Sequence, residues 1–320
     1  MSKSVVIVNA NYPHYEVEQE VLAPFDAKVE HVSTGADLAK TIEAVRRADA
    51  VMTRETQLPA QLIDALEQCR VIVRYGVGVD NIDLAAAARR HIYVANVGDY
   101  GTETVAEHAV ALMFAAARRI VSRDRAVRLG AWDVGAKEPM YSFVGKTLGL
   151  AGCGKIGRAF LKKVSCLGFA RVLVYDPYVK EMEGAELVAD LDEIFRASDV
   201  VSLHMPLTPE TRHAVDARRI GLMKSTAILV NDSRGGLVDE TALADALRGG
   251  RLFAAGIDTF EQEPPALDNP LFALDNVVVS DHTGWYAVES LGLLQRKAAQ
   301  EVARVFAGEE PLSWVNPWKE

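Results

Sequence analysis

Short apolar runs of strand length alternate with stretches of helical spacing in two successive blocks. From residue 1 to about 97 the runs are Val5–Val8, Val29–Val32, Ala50–Met52, Val71–Val73 and Tyr93–Ala95, separated by segments such as Ala36–Arg47 and Gln61–Glu67. From residue 147 the rhythm resumes with Thr147–Ala151, Arg171–Tyr175, Val200–Leu203, Ala227–Val230, Ala254–Ile257 and Val277–Val279. Continuous apolar strands joined by helices belong to parallel sheets covered on both faces. The pattern therefore predicts an α/β chain with two doubly wound parallel sheets, the second of six strands. Two longer segments stand apart. Thr102–Arg119 carries apolar residues over more than one face, which predicts a helix buried on several sides. Ala287–Phe306 places Leu291, Leu294, Ala298, Val302 and Val305 at helical spacing, and is expected to return to the first sheet. The expected domains are 1–98 with 287–320, and 99–286, so the chain would cross between them twice, as at a hinge.

The second block opens on a local signal. The strand Leu148–Ala151 runs into Gly152-x-Gly154-x-x-Gly157 and straight on into Arg158-Ala-Phe-Leu-Lys-Lys-Val. Strand, glycine turn and helix in that order form a dinucleotide fingerprint: the first glycine turns the chain, the second admits a pyrophosphate, and the third lets helix and strand approach closely. The next strand, Val172–Tyr175, ends in Asp176, about 20 positions beyond the last glycine, where an acid that holds a ribose 2′-hydroxyl belongs. A carboxylate there repels a 2′-phosphate, and no Arg follows in Asp176-Pro-Tyr-Val. The cofactor is expected to be NAD rather than NADP.

Bulk properties narrow the partners. A chain of 320 residues with 49% hydrophobic positions has material for two cores. Its net charge of −9 offers no general attraction to nucleic acid or to an anionic membrane. The opening Val5–Val8 run is interrupted at Asn9 and is too short for a signal or spanning segment, so a cytoplasmic protein is expected. Cys69, Cys153 and Cys166 are few and unpatterned, which fits a reducing compartment, packing roles and no metal site.

In open parallel sheets, ligands sit beyond the carboxyl ends of the strands. In the first block that edge carries Arg74-Tyr-Gly76-Val-Gly78, where a nest of backbone N–H groups suits a small carboxylate; Asp80 and Asn81 are expected to cap the helix beginning near Asp83. In the second block three strand ends carry polar residues: Asn231-Asp-Ser-Arg234-Gly-Gly, Asp258-Thr-Phe-Glu-Gln-Glu263-Pro-Pro, and Ser280-Asp-His282-Thr-Gly-Trp285. Reduction of a 2-keto acid needs a carboxylate anchor, a proton donor and a hydride donor. The guanidinium of Arg234 matches a carboxylate bidentately, and His282, with its tautomer fixed by Glu263, can pass a proton near neutral pH. His108 is expected to be a satisfied core or interface histidine, and His204 to line the adenosine side of a cofactor pocket.

These motifs, in this order, resemble the D-isomer-specific 2-hydroxyacid dehydrogenases over nearly the whole chain, the Leu203-His-Met-Pro-Leu-Thr and Val238-Asp-Glu-Thr-Ala-Leu segments included. The resemblance implies a Rossmann NAD-binding domain, a discontinuous flavodoxin-like substrate domain, an active site in the cleft, and a homodimer. It implies that Arg234, Glu263 and His282 are catalytic and that Asp258 contacts the nicotinamide carboxamide. By the same resemblance, Lys155, Ile156, Pro206, Thr211, Asp232, Ser233 and Thr104 join Gly152, Gly154, Gly157 and Asp176 in holding NAD. The backbone at Val77 and Gly78 would hold the substrate carboxylate, with Arg74 and Trp285 as specificity residues. Arg74–Asn81, Asp99–Glu103 and His282–Tyr286 look most like the branch of carboxy-terminal binding proteins and their bacterial dehydrogenase relatives. The long tail of many such corepressors is missing, and so is the regulatory domain of longer phosphoglycerate dehydrogenases, so a minimal catalytic form is expected. The implied activity is interconversion of a small D-2-hydroxy acid and its 2-keto acid, of the glyoxylate or hydroxypyruvate type. The alternatives are an NAD(H)-responsive protein-binding module and a short phosphoglycerate dehydrogenase.

Overall fold

The computed structural model describes residues 2–132 and 138–318. It divides into two compact units, residues 1–101 with 287–320, and residues 102–286.

In the first unit the strands are β1 (Lys3–Val8), β2 (Ala27–Val32), β3 (Ala50–Thr53), β4 (Val71–Arg74) and β5 (Tyr93–Ala95), interleaved with helices α1 (Glu16–Leu22), α2 (Leu38–Val45), α3 (Ala60–Asp64) and α4 (Leu84–Arg89). All pairings are parallel, in the order β2-β1-β3-β4-β5. This is the flavodoxin-like arrangement, in which the order reverses beside β1. Both β3 and β4 are buried at every position, which is why they read as unbroken apolar runs rather than as alternation.

The second unit begins with α5 (Thr102–Ala117) and α6 (Ile120–Arg128). It continues through β6 (Thr147–Ala151), α7 (Lys155–Val164), β7 (Arg171–Tyr175), β8 (Glu186–Leu187), α8 (Leu191–Ala197), β9 (Val200–Leu203) and α9 (Ala217–Ile220). After these come β10 (Ile228–Asn231), α10 (Glu240–Arg248), β11 (Ala254–Ile257) and β12 (Val277–Val279); α11 (Val288–Ala307) then belongs to the first unit. The sheet order is β12-β11-β10-β9-β6-β7-β8, with every pair parallel. The reversal between β6 and β9 creates a crevice at the carboxyl edge, the place where doubly wound sheets bind nucleotides.

One face of this sheet packs Leu148, Leu150 and Val174 against Ala109, Met113, Phe160 and Val164 from α5 and α7. Full burial of one such side chain contributes about 1.5–3 kcal/mol. Among the described residues, α2, α4, α8, α9 and α10 each open on an aspartate, namely Asp37, Asp83, Asp190, Asp216 and Asp239, whose side chain accepts a first-turn N–H. Such caps are typically worth about 1 kcal/mol each.

Three expectations need correction. The second sheet has seven strands, not six: β8 adds only Glu186 and Leu187, paired with Leu173 and Val174, and two residues show no periodicity. The cap of α4 is Asp83, which accepts from the N–H of Ala86 at 2.8 Å, whereas the Asn81 amide donates to the carbonyls of Arg54 and Thr56. Cys69 and Cys153 are packing residues, but Cys166 is exposed. Among the described residues, no helix is long and apolar enough to cross a membrane, and no group of three or more His, Cys, Asp or Glu is arranged to hold a metal ion.

Candidate active site

At the end of β6, Gly152 adopts φ +90°, and a Cβ there would lie 2.5 Å from the carbonyl oxygen of His204. Gly157 faces the carbonyl oxygen of Gly152, which would stand 2.8 Å from a Cβ. Both positions therefore exclude a side chain for steric reasons. Gly154, at the N-cap of α7, is different: the space where its Cβ would stand is open to 4 Å. An open cradle directly over the N-terminus of a ten-residue helix suits an anion. Asp176, just past β7, is locked to the turn, its Oδ2 accepting from Cys153 N at 2.7 Å and its Oδ1 from Tyr178 N at 2.9 Å. Turn, cradle and carboxylate together fit a dinucleotide. Lys155 and Ile156 form the first turn of α7, Thr104 lies in the first turn of α5, and the Thr211 hydroxyl donates to the carbonyl of Pro206 at 2.7 Å.

His204 is placed otherwise than expected. Its side chain is almost wholly buried beneath the glycine turn, against the Phe160 ring, with Nε2 bonded to Ser202 Oγ at 2.9 Å. Burial pushes its imidazole down to about 4, so the ring is neutral and shut away from solvent.

Beyond β10, β11 and β12, the three polar strand ends converge. The loop after β10 is braced within itself by the Asn231 amide, which donates to the Arg234 carbonyl at 3.0 Å, and from the loop after β9 by the Met205 carbonyl, which accepts from Ser233 Oγ at 2.6 Å. One guanidinium nitrogen of Arg234 donates to the Ser233 carbonyl at 2.8 Å. The Asp258 N–H donates to the Asn231 carbonyl and the His282 N–H to the Asp258 carbonyl, both at 2.9 Å, so each loop is tied to the one before it. His282 takes a left-handed φ of +55°, an uncommon conformation for a non-glycine residue and one that clusters at functional sites. Its Nδ1 lies 2.7 Å from Glu263 Oε2, while Glu263 Oε1 accepts from Phe260 N at 3.0 Å. Trp285 follows on the same loop, its ring edge-on to Tyr286.

Beneath these groups lie two buried carboxylates of opposite character. Asp258 accepts from Ser280 Oγ at 2.6 Å and from the N–H groups of Thr283 and Gly284 at 3.0 Å each, with His108 Nε2 at 3.3 Å. Burial raises its carboxyl, but the hydrogen bonds, His108 first among them, outweigh that and bring it down to about 2. His108 is raised in turn, chiefly by its bond to Asp258. The Asp232 side chain is entirely buried, and neither oxygen has a hydrogen-bond partner among the described residues. The contribution of His108 and Ser280 to this cluster was not legible in the chain, because 172 positions separate the two bonded side chains.

In the first unit, Arg74 is buried at the end of β4, donating to the Arg54 carbonyl at 3.0 Å and to Glu55 at 3.1 Å. The turn after it passes through Gly76 at φ +135°, with Val77 exposed and Gly78 beyond it.

Residues 110–284 match the family model described as D-isomer specific 2-hydroxyacid dehydrogenase, NAD binding domain. The chain belongs to this dehydrogenase family. The matched span contains the glycine turn, Asp176, Arg234, Glu263 and His282, so the NAD-binding unit of the dehydrogenase is the one that carries the converging loops. The glyoxylate reductase of Korarchaeum cryptofilum is 41% identical over 283 residues, 86% of this chain and 85% of that protein. The D-3-phosphoglycerate dehydrogenase of Methanocaldococcus jannaschii is 40% identical over 290 residues, 89% of this chain but only 55% of that protein. The chain thus spans about half the length of that relative. Among solved structures, D-lactate dehydrogenase from Aquifex aeolicus complexed with NAD and lactic acid superposes with a TM-score of 0.86 at 28% identity, over 95% of this chain and 96% of that one.

Proposed function

We propose that this dehydrogenase uses NAD to interconvert a small D-2-hydroxy acid and its 2-keto acid, of the glyoxylate or hydroxypyruvate type. One observation carries the reading: a guanidinium, Arg234, and a hydrogen-bonded pair, His282 with Glu263, stand beyond neighbouring strands of the sheet that bears the nucleotide fingerprint. Arg234 would grip the carboxylate and polarise the carbonyl of the substrate, since its planar fork matches two oxygens at once. Glu263 holds His282 through Nδ1, which leaves Nε2 to hold or move the proton at the substrate oxygen. The bound nicotinamide supplies the hydride. Gly152, Gly154, Lys155, Ile156 and Gly157 would hold its pyrophosphate and Asp176 the adenosine ribose. Because a carboxylate residue, Asp176, stands where a 2′-phosphate would sit, NAD is preferred over NADP.

The chain is proposed to act as a homodimer through the second unit. Ile120, Val121 and Val127 on α6, with Leu129 and Trp132 just past it, are all more than half exposed, an apolar surface on an otherwise polar segment. A second reading, oxidation of a phosphorylated 2-hydroxy acid, is favoured by the identity with the Methanocaldococcus protein.

Oxidation of NADH followed by absorbance decides among these. The substrates are glyoxylate, hydroxypyruvate, pyruvate, phenylpyruvate, 4-methylthio-2-oxobutyrate and 3-phosphohydroxypyruvate, with NADPH in parallel. Turnover of an unphosphorylated keto acid with NADH supports the first reading, and turnover of the phosphorylated one alone supports the second. Silence with all six while NADH binds tightly refutes both, and favours a cofactor-responsive binding module.

A further inference from the structure

The end of β10 presents a feature that the proposed chemistry does not use. The Asp232 carboxyl is shut away from solvent with both oxygens bare among the described residues. Buried carboxylates normally find donors, and Asp258 on the adjoining strand end has collected three within hydrogen-bond distance. The groups facing Asp232 are few. His204 from β9 approaches to 3.8 Å at Nδ1, outside hydrogen-bond range, and is neutral. Asp258 from β11 faces it as a like charge, His108 from α5 as an opposite one, and Arg234 lies two positions further along its own loop. Burial, reinforced by the charge of Asp258 and only partly opposed by His108, pushes the Asp232 carboxyl up to about 8. Two neighbouring acids are thereby driven to opposite states, a pattern that marks sites of proton handling.

The sheet order says which end of a dinucleotide comes here. Asp176 follows β7 and the glycine turn follows β6; across the switch point come β9, β10 and β11. A cofactor with its adenosine at Asp176 and its phosphates at Gly154 therefore extends its nicotinamide toward Asp232 and Asp258, the side where Arg234 and His282 stand. That ring is cationic in NAD⁺ and neutral in NADH. An opposite charge close to a carboxyl lowers its pKa by about one to three units, enough to deprotonate a carboxyl that holds its proton near neutral pH.

We propose that Asp232 is a proton-exchanging positioning residue beneath the nicotinamide. Its carboxyl keeps its proton in the free protein and with NADH bound, and releases it to solvent when NAD⁺ binds. The proton leaves as H⁺ with no change in bonding or oxidation state elsewhere, so binding of NAD⁺ is proton-linked and binding of NADH is not. The inference rests on the cofactor placement proposed above.

The test is calorimetric titration of the intact protein with NAD⁺ and with NADH at pH 7, in buffers of different ionisation enthalpy, beside Asp232→Asn and, as a second variant, Asp232→Thr. For the unaltered protein we expect release approaching one proton with NAD⁺ and none with NADH. The NAD⁺ affinity should rise up to about tenfold per pH unit between about pH 6 and 7.5, while that for NADH stays flat. Both substitutions should abolish the difference, which separates Asp232 from His108 and His282. A second measurement needs no cofactor. Because the folded-state pKa lies above the unfolded one, the thermal stability of the free protein measured against that of Asp232→Asn should fall as pH rises from about 4 to 8. Equal proton release with both nucleotides, or unchanged release in the variants, overturns the proposal. Failure of both nucleotides to bind refutes the cofactor placement itself, and the proposal falls with it.

Discussion

Replacing Gly154 with alanine separates folding from cofactor binding at a single methyl group. The Gly154 backbone, at φ −71° and ψ −158°, is extended and open to any residue, and no atom lies within 4 Å of the new Cβ. The substitution removes glycine freedom from the unfolded chain, worth about 0.4–1 kcal/mol in favour of folding. Against this, alanine is a poorer N-cap by about 0.5–1 kcal/mol. The two terms offset each other, so Tm should stay within a few degrees. Binding is another matter, because the methyl occupies the open cradle at the N-terminus of α7. Hydrogen bonds from backbone N–H to a charged phosphate contribute about 1.5–3 kcal/mol, so displacing one such contact weakens NADH about 10- to 150-fold. Fluorescence titration with NADH and thermal unfolding of the same samples measure both quantities. Gly157→Ala is the contrast: its Cβ would lie 2.8 Å from a backbone oxygen in the strand turn, so stability should drop by about 1–3 kcal/mol. Gly154→Ala protein that binds NADH within threefold of the unaltered protein would refute the cradle, as would one destabilised as much as Gly157→Ala.

Three further outcomes are expected. His282→Ala should lower keto-acid turnover by about 10²–10⁴ while leaving NADH binding near normal in the fluorescence titration; near-normal turnover excludes it as the acid. Arg234→Lys should raise the KM for the keto acid and lower kcat, because an ammonium cannot reproduce the fork, and an unchanged KM counts against the role. For Asp258, held at about 2 in the folded protein and near 3.9 when unfolded, the stabilising contribution is present above the unfolded value and lost as pH falls through the folded one. The stability difference between the unaltered protein and Asp258→Asn, measured by denaturant unfolding, should therefore shrink between about pH 4 and 2, and should also decline as pH rises through the His108 range, because the bond that raises His108 is lost with the carboxylate.

Much of the architecture is legible in the sequence because it rests on local physics. Gly152 and Gly157 are demanded by backbone atoms within a few positions or across one strand pair, and Asp176 lies a single βαβ unit away, so the whole fingerprint fits in about 30 residues. The fully buried strands β3, β4 and β10 announce themselves by unbroken apolar runs. The edge strand β8 does not, since two residues carry no period. Asp80, Asn81 and Asp83 are equally good caps by residue type, and which one caps α4 is settled by the amide of Asn81 finding carbonyls at Arg54 and Thr56. His204 was misplaced for a similar reason: the segment Leu203–Pro206 shows that a polar residue follows a strand, but not that the glycine turn closes over it.

What the chain determined by itself is the order of strands and helices, the glycine turn, and the set of polar residues left at strand ends, because sterics and periodicity act between near neighbours. Only the tertiary structure decided the state of those polar residues. Asp232 and Asp258 are the same residue type at equivalent positions after adjacent strands, yet one is stripped of partners and pushed up to about 8 while the other is saturated with donors and held at about 2. Exclusion of water and the arrival of His108, Ser280 and Gly284 from distant parts of the chain make that difference. A carboxyl's charge depends on the medium and the donors around it, and neither exists until the chain has packed.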